Sequence, residues 1–167
     1  KKINKRFNFI EFLIQRISLS KKISNIIVAY PDTKKNKAIF NSLKKENIQF
    51  FQGSEKNVLQ RYYKAAKLFK ADIIVRITSD CPFSDPKLID KFLKIFLKNN
   101  YDYYSNVSKR SYPDGFDIEI FNLKALELAN KKATSKYDKE HVTPYMIRSK
   151  QIIKGVNVLS KDYSQIR

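Results

Sequence analysis

Apolar residues recur along the chain with two alternating periods. Over residues 7–18 they fall at Phe9, Ile10, Leu13, Ile14 and Ile17, the spacing of one helical face. The run NIIVAY at 25–30 is continuous and rich in β-branched residues, as in a buried strand, and Pro31-Asp32 ends it. A lysine-rich helix is predicted over 34–46, with Ala38, Ile39 and Leu43 turned inward, then a short strand, IQFFQG, ending at Gly53. Residues 57–70 read as a helix that Asn57 caps, with Gln60 completing a capping box. DIIVRIT at 72–78 is the strongest strand signal in the chain.

The same alternation continues through the second half. Asp85 caps a helix that begins at Pro86, where the missing N–H of proline costs nothing. YDYYSN (101–106) and FDIEIF (116–121) read as strands, with Pro113-Asp114-Gly115 as a turn between them. Helices are predicted over 123–132 and 139–148, and a last strand over 152–159. Strands separated by amphipathic helices at short spacing predict an α/β fold, a three-layer αβα sandwich around a mostly parallel sheet. With 167 residues and no internal repeat, a single domain over 1–167 is expected.

Composition narrows the class. Hydrophobic residues make up 43% of the chain, with twelve Phe and ten Tyr, which excludes a disordered tail. No apolar run approaches the roughly 20 residues of a membrane span, so no membrane partner is expected. The single cysteine, Cys81, allows no internal disulfide and suits a reducing, cytoplasmic setting as a small buried filler. A net charge of +18 raises the possibility of a basic nucleic-acid-binding domain. Lysines outnumber arginines 27 to 7 and are spread along the whole chain, and no nucleic-acid module follows from their spacing. Nonspecific polyanion affinity is therefore expected, and no specific nucleic-acid partner.

The candidate chemistry lies in three stretches. In DIIVRITSDCP, period-two alternation puts Asp72, Ile74, Arg76, Thr78 and Asp80 on one face, with Asp80 at the carboxyl edge of the strand. Open α/β sheets place ligands at that edge. A carboxylate there can hold a hard cation or merely cap a turn. Arg76, inside the strand, needs a buried acceptor. In YPDGFDIEIF, Asp117 and Glu119 share one face and repel unless a cation, Arg76 or a polyol sits between them; a solvent-facing edge strand is the alternative. KEHVTPYMIR carries the only histidine, His141, beside Glu140. There is no GxGxxG, no P-loop, no nucleophile elbow and no Cys/His metal spacing.

Taken together and in order, FQGSEKNVLQRYYKAAK, ADIIVRITSDCPFSDPKLID, YDYYSN, YPDGFDIEIF and EHVTPY resemble the cytidylyltransferase-like family of spore coat polysaccharide biosynthesis proteins. That family is related to the acylneuraminate and KDO cytidylyltransferases. The resemblance runs along the whole chain and implies the nucleotide-diphospho-sugar transferase (Rossmann-like) fold. It implies transfer of a cytidylyl group from CTP to a sugar or sugar acid, with release of pyrophosphate and Mg²⁺ as cofactor. It also implies that Asp80 is a metal ligand, that Gly53 and Arg61 lie near the nucleotide, and that Asp117, Glu119, Glu140 and His141 lie near the sugar. A homodimer is implied by the same analogy.

Two segments of the family pattern do not appear in these residues. The chain opens on KKINKRFNFIEF, just after the place of the first strand and its basic, Gly-containing phosphate loop. It closes on KDYSQIR, before the segment with a second metal-binding aspartate, and position 57 is Asn where the family has Asp. The chain thus resembles the middle of such an enzyme, and little turnover is expected from it alone. A non-catalytic relative that binds a sugar or a protein partner is the alternative.

Overall fold

The computed structural model describes residues 9–36, 41, 43 and 48–165. Its elements, in chain order, are α1 (Phe9–Ile17), β1 (Ile27–Pro31), a 3₁₀ turn at Lys34–Asn36, β2 (Gln49–Gly53), α2 (Val58–Leu68) and β3 (Ile73–Arg76). Then follow α3 (Pro86–Lys98), β4 (Tyr103–Ser105), β5 (Glu119–Asn122), α4 (Leu123–Lys132), α5 (Lys136–His141), α6 (Pro144–Arg148) and β6 (Lys154–Val156). Of the predicted 34–46 helix, Leu43 is buried, while Ala38 and Ile39 lie outside the described residues. The chain forms two compact units, one of Lys1–Ser24, Val75–Phe121 and Ile153–Arg167, the other of Asn25–Ile74 and Asn122–Ile152.

In the first unit, α1 buries Leu13 and Ile17 from the predicted stripe. The Asp90 carboxylate accepts hydrogen bonds from the Ser20 hydroxyl and from the Lys21 and Lys22 amides at 3.0 and 3.1 Å, fixing the turn that follows α1. Asp85 caps α3 through the Lys87 amide, and α3 buries Ile89, Phe92, Leu93 and Phe96, the i, i+3, i+4, i+7 set of one face. Phe92 meets the rings of Tyr104 and Tyr112 edge-on, at 5.3 and 6.1 Å, which seats α3 on β4. The four-stranded sheet has the order β3-β5-β4-β6, with β4 antiparallel to β5 and parallel to β6.

The strand predicted at 116–121 starts only at Glu119, leaving Asp117 in the preceding loop. The buried Asn106 side chain takes the place of strand pairing there. It donates to the Phe116 carbonyl and accepts from the Ile118 amide, both at 2.8 Å, so it clips the two ends of the 106–118 loop together.

In the second unit, β1 and β2 pair in parallel, with Ile27 opposite Gln49 and Pro31 opposite Gly53. Helix α2 covers them and packs on α4 and α5, burying Leu59, Ala65 and Ala66 against Ala125, Leu126 and Ala129. Asn57 caps α2 as predicted, accepting from the Gln60 amide at 3.0 Å. The return half of the box differs: the Asn57 amide donates to Ser54 Oγ at 3.0 Å. The helix predicted at 139–148 is two helices. Pro144 has no N–H and its ring clashes with the carbonyl four residues back, so an α-helix cannot run through it. The chain breaks at Val142 and restarts with Pro144 in the first turn of α6.

Gly155 in β6 lies against Tyr101 and Tyr104, whose rings stack at 5.5 Å. A Cβ at this position would sit 2.5 Å from Tyr101 Cε2 and 2.6 Å from Tyr104 Cδ2. Gly155→Ala is expected to destabilise the fold by about 1–3 kcal/mol through overpacking. Urea denaturation checks this; an unchanged midpoint would show that the tyrosine pair yields freely.

Candidate functional site

Beyond the end of β3 the chain winds into a tight turn. The Cys81 amide donates to the Thr78 carbonyl at 3.0 Å, and the Ser84 hydroxyl to the Cys81 carbonyl at 2.8 Å. Asp80 stands exposed on this turn, one carboxylate oxygen accepting from the Thr78 hydroxyl. It therefore does cap the turn, and it also keeps its carboxylate open to solvent. Cys81 is buried, and burial pushes its thiol above the usual range, as for an unreactive core cysteine.

Arg76 finds its acceptor in Glu119 on β5. Glu119 is 3% exposed. Its second oxygen accepts from the Tyr103 hydroxyl at 2.7 Å. Burial, and next the Glu119 charge, push the Tyr103 phenol far above its ordinary value, so it stays a donor. With both carboxylate oxygens engaged, Glu119 is tied down beneath the surface.

Asp117, two residues earlier, is half-buried. Burial pushes its carboxyl up, Arg110 opposes this, and the carboxylates of Glu119, Asp114 and Asp80 add to the rise. The structure thus brings Asp80 and Asp114 within electrostatic reach of Asp117 in a chain of net charge +18. Arg110 spans Asp114 at 3.3 Å and Asp117 at 3.4 Å. Among the described residues no three His, Cys, Asp or Glu side chains are grouped to hold a metal ion. The exposed carboxylate of Asp80 is an oxygen donor of the kind Mg²⁺ takes, a cation that is held by one or two carboxylates and completes its shell with water and phosphate.

The other candidates belong to the second unit. Gly53 ends β2, the carboxyl edge of a parallel pair, and a Cβ there would lie 3.0 Å from both Arg61 Cγ and Phe51 Cε1. Arg61, on α2, reaches back and donates to the Ser54 carbonyl, while its Nε is buried with no hydrogen-bond partner. Burial lowers the guanidinium from its ordinary value, Tyr62 opposing. Glu140 and His141 are exposed at the end of α5, the His141 ring resting on Tyr137 at 4.5 Å.

Val142 follows with φ 72° and ψ −56°, and the Thr143 amide donates to the His141 carbonyl at 2.8 Å. This is a positive-φ γ-turn, a strained conformation for a β-branched residue. The fully buried Val142 side chain holds it in place. Beside it, the buried Asp138 carboxylate is held well below its usual range by Arg148, which contacts both of its oxygens.

Sequence reasoning missed Arg110, Asn106, Asp138 and the Val142 turn. The first two carry no local signal: one is a basic residue among 34, the other a polar residue after a strand. Asp138 could have been found, because Ser135 with Asp138 three residues on is a helix-start pattern.

Comparison with known proteins places this geometry in context. A family model described as cytidylyltransferase matches residues 7–167. An uncharacterized protein of Methanocaldococcus jannaschii is 43% identical over 145 residues, 87% of this chain and 58% of that protein. The spore coat polysaccharide biosynthesis protein SpsF of Bacillus subtilis is 28% identical over 142 residues, 82% of this chain and 58% of that protein. The chain thus spans less than two thirds of the length of the curated relatives it matches.

Among solved structures, a cytidylyltransferase from Leptospira borgpetersenii superposes with a TM-score of 0.91 at 31% identity, covering 97% of this chain and 69% of that one. A CMP:2-keto-3-deoxy-manno-octonic acid synthetase complexed with CTP superposes at 0.67 with 11% identity, over 90% of this chain and 78% of that one; this shows a shared fold. That fold is the nucleotide-diphospho-sugar transferase fold. Among the described residues no helix is long and apolar enough to cross a membrane.

Removing one partner of a buried ion pair leaves the other charge stranded. Arg76→Met is expected to cost about 3–5 kcal/mol, while adding Glu119→Leu to it should recover most of that loss. Denaturant midpoints of the single and double variants test this; a double variant as unstable as the single would show that shape, not charge, decides the site.

Proposed function

The chain belongs to the cytidylyltransferase family, and from that premise we propose that it acts in a sugar cytidylyltransferase of surface polysaccharide biosynthesis. The reaction is transfer of CMP from CTP to a sugar or sugar acid, with release of pyrophosphate. The observation that carries this reading is the family match through residues 7–167 on a chain whose exposed Asp80 follows the end of β3. The relative SpsF, by its name, works in polysaccharide biosynthesis, and the 2-keto-3-deoxy-manno-octonic acid synthetase of the same fold holds CTP. We read residues 1–167 as one nucleotidyltransferase-like domain, since the match passes through both units without interruption.

The proposed roles follow from side-chain chemistry. Asp80 would hold Mg²⁺, whose part in such transfers is to neutralise phosphate oxygens as charge shifts to the leaving group, and Asp117 would lie near the sugar. Glu119, engaged by Arg76 and Tyr103, acts through that network by fixing the start of β5, to which the loop carrying Asp117 is joined. In the second unit, Gly53 gives the backbone room at the strand edge, and Arg61 holds the Ser54 carbonyl so that the turn keeps its shape near the nucleotide. Glu140 and His141 offer an exposed acceptor and a switchable donor for sugar hydroxyls. Phosphoryl-type transfer asks little covalent work of the protein; orientation of the acceptor hydroxyl and charge stabilisation carry the rate.

Calorimetry with CTP, UTP and ATP in the presence and absence of Mg²⁺ tests the proposal. CTP is expected to bind in preference and to depend on Mg²⁺. Asp80→Asn should weaken the Mg²⁺-dependent binding at least about tenfold, the loss of one charged contact, while circular dichroism stays unchanged. Saturable sugar binding with no nucleotide or Mg²⁺ response would replace this reading with that of a non-catalytic relative.

A further inference from the structure

Helix α3 turns its apolar face inward, and its outer face is just as regular. Lys87, Lys91, Lys94 and Lys98 are all exposed and stand at i, i+4, i+7 and i+11. At about 100° per residue they fall within an arc of about 60°, one straight row along roughly 16 Å of helix. No other helix among the described residues carries such a row: α2 has only Lys64 and Lys67, and on α4 Glu127 stands between Lys124 and Lys131. The one acid on α3, Asp90, is taken up by the Ser20 hydroxyl and by the Lys21 and Lys22 amides. Those bonds bring two further exposed lysines to the flank of the row. The ion pairs among the described residues use Arg76, Arg110 and Arg148, so none of them neutralises these lysines. Exposed leucines border the row. Leu97, 53% exposed, stands seven residues on from Asp90 and so on the same flank, and Leu19, 71% exposed, precedes Ser20.

The clustered ammonium groups repel one another, and an anionic surface laid against them relieves that repulsion. The chemistry of the patch selects the kind of surface. The row holds no arginine, whose planar fork suits the phosphates of nucleic acid, and lysine charges act without fixed geometry. Leucines beside them gain nothing on a phosphate backbone, but they can enter the headgroup boundary of a lipid leaflet. We propose that this face of α3, with the turn after α1, docks on anionic lipid headgroups at a membrane surface. Such contact needs no spanning helix. It needs two signals, clustered cations and apolar side chains, and both are present. The inference is independent of the reaction proposed above.

Sedimentation of the full chain with phosphatidylcholine vesicles, with and without about one-third phosphatidylglycerol, tests the surface. Binding is expected only with the anionic lipid and is expected to fall as salt is raised. Lys91→Gln combined with Lys94→Gln is expected to weaken it about 25-fold, about fivefold per lysine. Lys131→Gln combined with Lys132→Gln removes the same charge from α4 and is expected to change binding by less than about threefold. Leu97→Ser is expected to weaken vesicle binding at least about twofold and to leave duplex-DNA binding unchanged. All these side chains are exposed, so circular dichroism is expected to stay unchanged. Absence of binding to anionic vesicles overturns the proposal. Equal losses from the two lysine pairs also overturn it, because net charge alone would then be the cause. A Leu97→Ser chain that binds vesicles as tightly as wild type overturns the lipid assignment. A larger loss on duplex DNA than on vesicles from the α3 pair replaces it with a nucleic-acid face.

Discussion

The Glu119 carboxylate is taken out of water on a central strand, and the local structure is arranged to make that tolerable. Arg76 supplies the charge and the Tyr103 hydroxyl the second hydrogen bond, from two different strands of one sheet. Because a buried carboxylate with a missing partner is so costly, this arrangement fixes the relative positions of β3, β4 and β5 more tightly than apolar contacts alone. Asp80 lies beyond one end of β3, and Asp117 lies just ahead of β5. The exposed Asp80 and the half-buried Asp117 thus both flank strands held by a buried acid.

Around that anchor, the electrostatics run against the character of the chain. The protein is strongly basic overall, with lysines spread over its surface, yet Asp80, Asp114 and Asp117 gather in one place. A local negative patch can persist on a cationic protein, because solvent screening mutes the distant lysines and leaves near neighbours in control of the potential. Two arginines of opposite kind bear on the acids of this region, Arg76 on Glu119 and Arg110 on Asp114 and Asp117. Arg76 is largely buried and permanently paired, while Arg110 is exposed and held at long distance. One sets the framework; the other leaves it adjustable.

Much of the architecture was legible because its signals are local. The stripe of α1, the Asp85 cap with Pro86, the Asn57 cap and the β1 and β2 runs all follow from side chains that act on their own backbone within a few residues. The pairing of Arg76 was also foreseeable, since a guanidinium inside an apolar strand demands an acceptor. What was not legible depends on contacts distant in sequence or on competition within a turn. The Asn106 clip pre-empts the first residues of the predicted 116–121 strand. The Ser54 hydroxyl takes the amide that Gln60 was expected to bind. Pro144 did announce the break in the 139–148 helix, but not the γ-turn, because nothing in a valine signals positive φ. Arg110 was missed for a different reason: Asp114 and Asp117 lie only four and seven residues on, but in an irregular loop that spacing does not say which side chains face each other.

The clamp between the 106–118 loop and the 157–163 segment bears on the order in which the molecule assembles. Strand β6 lies beside β4, with the Ile153 amide bonded to Asp102, 51 residues earlier in the chain. Ser111 and Tyr112 take their partners from Leu159, Tyr163 and Asn157, all made later still. On a ribosome, the loop that carries Arg110 emerges long before the residues that immobilise it. Contacts with this sequence separation form late, since loop closure must precede their reward. The rigid platform therefore sets only once residues 153–163 have been made. During synthesis, Asp114 and Asp117 wait on an unfastened loop, which is secured only after β6 and residues 157–163 have docked.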